Sequence, residues 1–271
     1  MDINELKETA KQIRADIITE VASAGSGHPG GSLSSVEIAT LLYFDTMNIP
    51  SFDDPERDVF VLSKGHASPL LYACLCEKGL FPREELKTFR QLGSRLQGHP
   101  DMKKLKGVDM TTGSLGLGVG AAVGMALARK TDGRKSRVFT LLGDGELQEG
   151  SVWEALMAAS HFGLGNLMVF VDNNNLQIDG FVNDVMSVYP IEEKFRAFGL
   201  ETVTVDDGND ISLLKKAVDT LLSSDSGKPK AVIARTVKGK GVSFMENQAS
   251  WHGTAPNAEQ AAQAIKEITE A

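Results

Sequence analysis

Two apolar runs without polar alternation, Val138 to Leu142 and Leu167 to Val171, punctuate a chain that elsewhere alternates amphipathic helical segments with short strands. Uninterrupted runs of this length are expected of strands buried on both faces of a parallel sheet. The helical pattern from Trp153 to Phe162 lies between them and can act as the crossover. Parallel neighbours joined by a right-handed crossover place their carboxyl ends on one edge, the edge where open α/β sheets bind ligands. Gly143-Asp144-Gly145 follows the first run and Asn173-Asn174 follows the second, so Asp144 and Asn174 should face one point.

The remaining pattern supports the same α/β class. Ile3 to Ala24 carries Leu6, Ala10, Ile13, Ile17, Ile18 and Val21 at a 3.6-residue period and predicts a helix, ended by Gly25 to Gly31. Ser34 or Ser35 is expected to cap a second helix reaching Met47, with Glu37 in its first turn. Val59 to Leu62 reads as a strand and His66 to Lys78 as a helix stopped by Gly79. Pro82-Arg-Glu-Glu opens another helix, and a loop from Gly93 to Thr112 follows. Gly118 to Ala128 is a helix of small residues. After Asn174 come a helix at Ile191 to Phe198, a strand at Thr202 to Val205, a helix at Ile211 to Leu222 and a strand at Ala231 to Ala234. Thr236 to Pro256 is glycine-rich and aperiodic, which predicts a long functional loop across the ligand edge before a closing helix at Ala258 to Thr269. The even spacing of elements predicts one domain over residues 1–271: a parallel sheet flanked by helices.

An Asp carboxylate, an Asn amide oxygen and a carbonyl from the loop just after it suit a hard cation such as Mg2+ or a similar divalent ion. Three protein ligands leave an octahedral shell incomplete, which implies phosphate oxygens and water as the rest. Gly145 lets backbone approach such a partner closely. Either segment alone also has the composition of an ordinary turn at a strand end.

Taken together, GDGELQEG and VDNNNLQIDG resemble the metal and diphosphate motif of thiamine diphosphate enzymes, and within them the transketolase family. SGHPGG at Ser26 to Gly31, FVLSKGHASPLLY at Phe60 to Tyr72, LQGHPD at Leu96 to Asp101, TTGSLGLG at Thr111 to Gly118 and WHGTAP at Trp251 to Pro256 extend the resemblance over almost the whole chain. It spans only the first half of a full-length transketolase. The resemblance implies a diphosphate-binding (PP-type) fold, with Mg2+ held by Asp144, Asn174 and the carbonyl of Leu176. It places His66, Gly113, Ser114, Leu115, Asp144, Gly145, Glu149, Asn174 and His252 among the cofactor-binding residues. It also implies that His28, His66, His99 and His252 surround the thiazolium ring and the sugar donor as catalytic residues, whereas His161, inside a helix, is structural. Histidine suits this chemistry because protons must move at oxygens on both sides of the breaking C–C bond near neutral pH.

Gly116-x-Gly118-x-x-Ala121 satisfies a loose dinucleotide fingerprint but lacks a preceding strand and an acidic residue about twenty positions on, so that function is rejected. Leu117 stands where many transketolases have Gln, a departure within this loop. Glu149 and Glu154 match glutamates of an acidic subunit-interface network in the family, and are equally suited to a charged helix start. Lys238 to Gly241 (KGKG) is not a P-loop and reads as a flexible loop near the diphosphate.

A formal charge of −8 with no Lys/Arg cluster excludes nucleic acid and anionic membranes as partners. The two cysteines, Cys74 and Cys76, form neither a disulfide framework nor a zinc site, and a reducing cytoplasm fits them. No leader and no membrane-length apolar run is visible, so a soluble intracellular protein is expected. The carboxylate that the family sets against the cofactor's aminopyrimidine belongs to a pyrimidine-binding domain, and this chain ends before one could begin. The family's basic residues for sugar phosphate are absent too. The resemblance therefore implies the diphosphate-binding subunit of a split transketolase, transferring a ketol unit between sugar phosphates or their derivatives and active only with a C-terminal, pyrimidine-domain subunit, as α2β2. An α subunit of a 2-oxo acid dehydrogenase-like thiamine enzyme and a non-catalytic cofactor-binding regulator are the alternatives, and an engineered truncation is a further one.

Overall fold

The computed structural model describes residues 1–270. Its strands are β1 Val59–Leu62, β2 Val138–Gly143, β3 Leu167–Asn173, β4 Leu176–Gln177, β5 Gly180–Phe181, β6 Glu201–Val205 and β7 Lys230–Arg235. Five of them form one sheet in the order β1-β2-β3-β7-β6, every neighbouring pair parallel, and β4 and β5 make a small antiparallel hairpin. The apolar runs behave as their composition demands, since every residue of β3 and all but the last of β2 is buried. Side chains alternate between two apolar clusters. Phe139, Leu141, Met168 and Phe170 join the cluster that contains the helices Ile3–Ala24, Ser68–Glu77, Ile211–Leu222 and Ala258–Glu270. Val138, Leu142, Val169 and Val171 join the other, with helices Leu117–Thr131, Gly150–His161 and Ile191–Ala197. This is the period-2 signature of a sheet covered on both faces.

The pairing register sets the functional edge. Leu62 lies opposite Leu141, Gly143 opposite Asp172 and Asn173 opposite Arg235, so the carboxyl ends of β1, β2, β3 and β7 finish together. Beyond β3 the chain packs Ile191 and Phe195 on one face, while beyond β7 it packs Val242 and Met245 on the other. Strands whose outgoing chains diverge to opposite faces leave a crevice between their carboxyl ends.

The helix Ile3–Ala24 matches its predicted span and begins with a capping box, Asp2 accepting from the Asn4 and Glu5 amides while Glu5 accepts from the Asp2 amide. Several predicted elements differ. The single helix expected from Ser34 or Ser35 to Met47 is two helices, Pro29–Leu33 and Val36–Leu41, the second continuing into a π-helical turn Leu42–Thr46. Neither serine caps through its side chain: Ser34 Oγ donates to Asp172 Oδ2 at 2.6 Å and Ser35 Oγ accepts from Lys64 Nζ at 2.7 Å. A buried ion pair takes the hydroxyls that local sequence assigns to a cap. Arg83–Thr88 is 3₁₀ rather than α-helical. The β4–β5 hairpin and the helix Val182–Met186, within a stretch given no element from sequence, brace the chain leaving Asn174. Among the described residues no helix is long and apolar enough to cross a membrane.

Candidate active site

The edge formed by β1, β2, β3 and β7 opens into a cleft lined by, among others, Asp144, Asn174, Leu176, His66, His252 and Lys238. Asp144, 2% exposed, follows β2 and accepts from three donors: the Gly145 amide at 2.8 Å through Oδ1, and Asn173 Nδ2 at 3.0 Å and the Asn175 amide through Oδ2. The β2 and β3 turns are thereby locked together. Burial, and then the neighbouring Asp172, push the Asp144 carboxyl up to about 6. Asn174 turns its amide nitrogen to Asp172 Oδ2 at 2.8 Å and its oxygen to the Leu176 amide at 3.1 Å. The Leu176 carbonyl accepts from Lys238 Nζ at 3.0 Å. Among the described residues no group of three His, Cys, Asp or Glu side chains could hold a metal, so the cation donors available here mix a carboxylate, an amide oxygen and a main-chain carbonyl. Such a set selects hard cations of the Mg2+ kind.

Two buried lysines dominate the charge around this floor. Lys64 Nζ donates to Asp172 Oδ2, Ser35 Oγ and the Gly31 carbonyl, each at 2.7 Å, and both members of its ion pair with Asp172 are 1% exposed. Asp172 also accepts from Ser34 Oγ and Thr236 Oγ1. Burial raises its carboxyl, but Lys64 and these donors outweigh burial and hold it below the usual range. Lys238 is 1% exposed, and burial lowers its ammonium to about 8. Its second contact is His252 Nδ1 at 2.8 Å. An ammonium can only donate, so His252 Nδ1 accepts and the ring proton resides on Nε2. The KGKG segment is therefore anchored and not flexible: Lys238 is buried, and the Gly239 amide donates to the Gly30 carbonyl at 3.0 Å.

Four of the five histidines meet above this floor. His28 precedes the helix Pro29–Leu33, His66 sits in the 3₁₀ turn Gly65–Ala67, His99 in the long loop and His252 at the end of the turn Ala249–His252. Ring centroids are 5.2 Å apart for His28 and His66, 5.1 Å for His66 and His252, 5.5 Å for His28 and His252, and 6.4 Å for His28 and His99. Burial is the main cause that keeps all four imidazoles below their ordinary range, to about 4 for His28 and about 3 for His252, helped by Arg90, Lys64 and Lys238. At neutral pH the cluster is uncharged, and each ring offers one N–H and one lone pair. His161 lies apart at the end of its helix, against Phe162.

Glu146 fixes the 113–118 loop. It is buried, accepting through Oε1 from Ser63 Oγ at 2.6 Å and the Gly116 amide at 2.9 Å, and through Oε2 from the Gly143 amide at 3.1 Å. Gly118 packs so tightly that a Cβ there would lie 2.6 Å from Ser63 Cα. This loop brings Leu115 to the cleft and sets Gly113 against His99, with a Cβ position 3.1 Å from the imidazole. Ser114 is exposed and is not among the residues lining the cleft. Gly145, expected to let backbone approach a ligand closely, lines the cleft, and its amide donates to Asp144. Glu149 lines the cleft from an exposed position, preceding the helix Gly150–His161 without capping it through its side chain, and Glu154 is exposed on that helix. Sequence reasoning missed Lys64, Asp172, Glu146 and Lys238 as site residues, although the first three lie inside motifs that it had identified. An Asp inside an apolar strand end and a Lys two residues before a loop histidine were the available signals.

Residues 5–269 match the family described as transketolase, thiamine diphosphate binding domain. One subunit of the apulose-4-phosphate transketolase of Actinobacillus succinogenes is 43% identical over 272 residues, covering 99% of this chain and 97% of its own. The 6-deoxy-6-sulfo-D-fructose transketolase subunit SqwG of Clostridium sp. (strain MSTE9) is 44% identical over 250 residues, covering 92% and 90%. The transketolase of Homo sapiens is 43% identical over 271 residues, which are 98% of this chain but 42% of that protein. Transketolase from Campylobacter jejuni superposes with a TM-score of 0.91 at 34% identity, over 99% of this chain and 43% of its own.

Proposed function

From its place in the transketolase thiamine diphosphate binding domain family, to which this chain belongs, we propose that it is the diphosphate- and Mg2+-binding subunit of a two-chain transketolase. The observation that carries this reading is the meeting of four neutral histidines above a floor of Asp144, Asn174 and Leu176 oxygens. The donor set fits the cofactor. Asp144, the Asn174 amide oxygen and the Leu176 carbonyl would hold the cation, and Lys238, His66 and His252 offer positive charge or N–H groups to a diphosphate on the same wall. When bound, thiamine diphosphate supplies the nucleophilic carbon and the electron sink for breaking the ketose C2–C3 bond.

The chain's own residues bind, orient and move protons. His252, with its proton on Nε2, presents a donor, while His28, part-exposed and neutral although its Nδ1 is buried, adds a second imidazole to the wall that faces a sugar hydroxyl. His66 and His99 complete a wall that can take a hydroxyl proton as the C–C bond breaks and return it to the acceptor aldehyde oxygen as the new bond forms. We read the substrates as a ketose donor and an aldose acceptor, as phosphates or other sugar derivatives. The whole chain is read as one diphosphate-binding domain, supported by two apolar clusters that share one sheet.

A pyrimidine-domain subunit is the partner in this reading, assembled as α2β2. Ile178, 66% exposed in the cleft lining, and Leu117 and Met186, 61% and 62% exposed on segments that adjoin it, support such a seat. Buried free thiols at Cys74 and Cys76 fit a reducing cytoplasm. The test is reconstitution: the purified chain assayed with cofactor, Mg2+, a ketose donor and an aldose acceptor, with and without the partner. Activity is expected only in the mixture, and full turnover by this chain alone would overturn the two-chain reading.

A further inference from the structure

Beside the histidine cluster lies a cation that the catalytic reading does not use. Arg90 follows the turn Arg83–Thr88 and has a left-handed backbone, φ 59°, a conformation that favours glycine. Its guanidinium donates through Nη1 to Ser26 Oγ at 3.0 Å and through Nη2 to the Gly98 carbonyl at 3.4 Å, and it rests over the Phe89 ring at 5.4 Å. Gly98 packs so closely that a Cβ there would lie 2.9 Å from Arg90 Nε. Ser26 stands two residues before His28, and Gly98 immediately precedes His99. One side chain therefore ties together the two backbone segments that present these histidines. Arg90 Nε and His28 Nδ1 are also two of the few buried polar atoms that find no protein partner among the described residues.

We propose that Arg90 is the positioning residue of the His28–His99 pair: one fixed cation that holds the Ser26–His28 and Gly98–His99 segments at their spacing and denies a second positive charge to the space between the rings. The inference rests on the reading of both histidines as substrate-facing. Every group that faces His28 is neutral or cationic: Arg90 from the turn before it, His99 from the long loop, His66 and His252 from their turns, and Lys238 from the segment after β7. His99 answers to Arg90, and His28 answers to Arg90 and then to His99. After burial, Arg90 is the first cause that holds both rings neutral, whereas His66 and His252 answer first to Lys64 and Lys238. A neutral ring can accept a hydroxyl proton and a cationic one cannot, so Arg90 should act through the two rings without touching the reacting atoms.

The experiment is a titration of the five histidines by imidazole NMR in the full chain, assigned with H28Q and H99Q, for wild type, R90K, R90M and R90G. R90M and R90G are expected to move the His28 and His99 midpoints upward together and leave His161 in place, and R90K is expected to restore both. Glycine accepts the backbone at this position, so R90G separates the charge from the fold should R90M unfold. In the complex with the partner subunit, the acid limb of kcat/KM should move up in R90M and return in R90K. Midpoints of both rings unchanged in R90M and R90G, or shifted as far in R90K as in R90M, would overturn the proposal. Loss of the transketolase reading would show differently, as absent activity in the wild-type complex with the imidazole shifts intact.

Discussion

Asp144→Asn removes one charge while changing almost no volume, so it separates cation binding from folding. The carboxylate accepts from three donors, two of them on one oxygen. An amide has only one oxygen, so the substitution sets a donor against a donor on the other side and costs about 1–3 kcal/mol. Relief of a buried charge opposes this. The folded-state rise of the carboxyl from 3.8 to about 6, caused by burial and Asp172, disfavours the folded metal-free chain at pH 7 by about 3 kcal/mol. The two effects nearly cancel, and the metal-free D144N chain should unfold within about 2 kcal/mol of wild type. A raised folded-state value also fixes the sign with pH. The stability contributed by this group is complete below about 3.8 and is lost as pH rises through about 6, so wild type should gain more than D144N on acidification from pH 7. Calorimetry on the complex with its partner should show the Mg2+-dependent affinity for thiamine diphosphate falling about a hundredfold or more, about 2.7 kcal/mol. Equal affinity in D144N and wild type would refute the assignment of Asp144 as a cation ligand.

His99→Ala should lower the activity of the reconstituted enzyme about 10²- to 10⁴-fold while His161→Ala leaves it intact, measured by steady-state kinetics; survival of H99A within a factor of two would remove His99 from the wall. Lys64→Met strands the Asp172 carboxylate in a buried site and should cost about 3–5 kcal/mol in urea unfolding, part of which K64M/D172N recovers. A cost below about 1 kcal/mol in K64M would show that the pair does not hold the floor together.

The sheet was legible because its strands bury both faces and leave uninterrupted apolar runs, and because the crossover rule fixes which ends of β2 and β3 meet. The four loop histidines were legible from motifs alone, since nothing local links His28 or His66 to His252, far along the chain, and only the fold brings their rings together. What stayed hidden were the counter-charges. Ser34 and Ser35 stand where a helix cap should be, and only the arrival of Lys64 and Asp172 from the ends of β1 and β3 engages their hydroxyls. Local propensity cannot register a partner 138 positions away, the separation of Ser34 from Asp172. Lys238 was missed for a related reason. The glycines that follow it suggest mobility, yet they allow close approach, since a Cβ on Gly239 would lie 2.4 Å from the Met245 carbonyl oxygen.

The charges on the floor bear on the order in which its ligands can bind. Asp172 is committed to Lys64, Ser34, Asn174 and Thr236, so it is not free to join Asp144, whose Oδ1 accepts only from the Gly145 amide, around a cation. The Leu176 carbonyl meanwhile already accepts from the Lys238 ammonium. A bare dication would have to displace or face that ammonium with one carboxylate, an amide oxygen and a carbonyl to hold it, which is weak support for Mg2+. A diphosphate arriving with the cation changes both terms, because its oxygens complete the metal shell and give Lys238 an anionic acceptor in exchange for the carbonyl. Cation and diphosphate should therefore bind with strong mutual enhancement, each raising the other's affinity by the same factor, as linkage requires. Calorimetric titration of the complex with thiamine diphosphate, with and without Mg2+, reads that factor directly, and Lys238→Met should shrink it by taking away the ammonium that the diphosphate satisfies. Independent binding of the two ligands in wild type would show that the ammonium and the cation do not compete for the same oxygen.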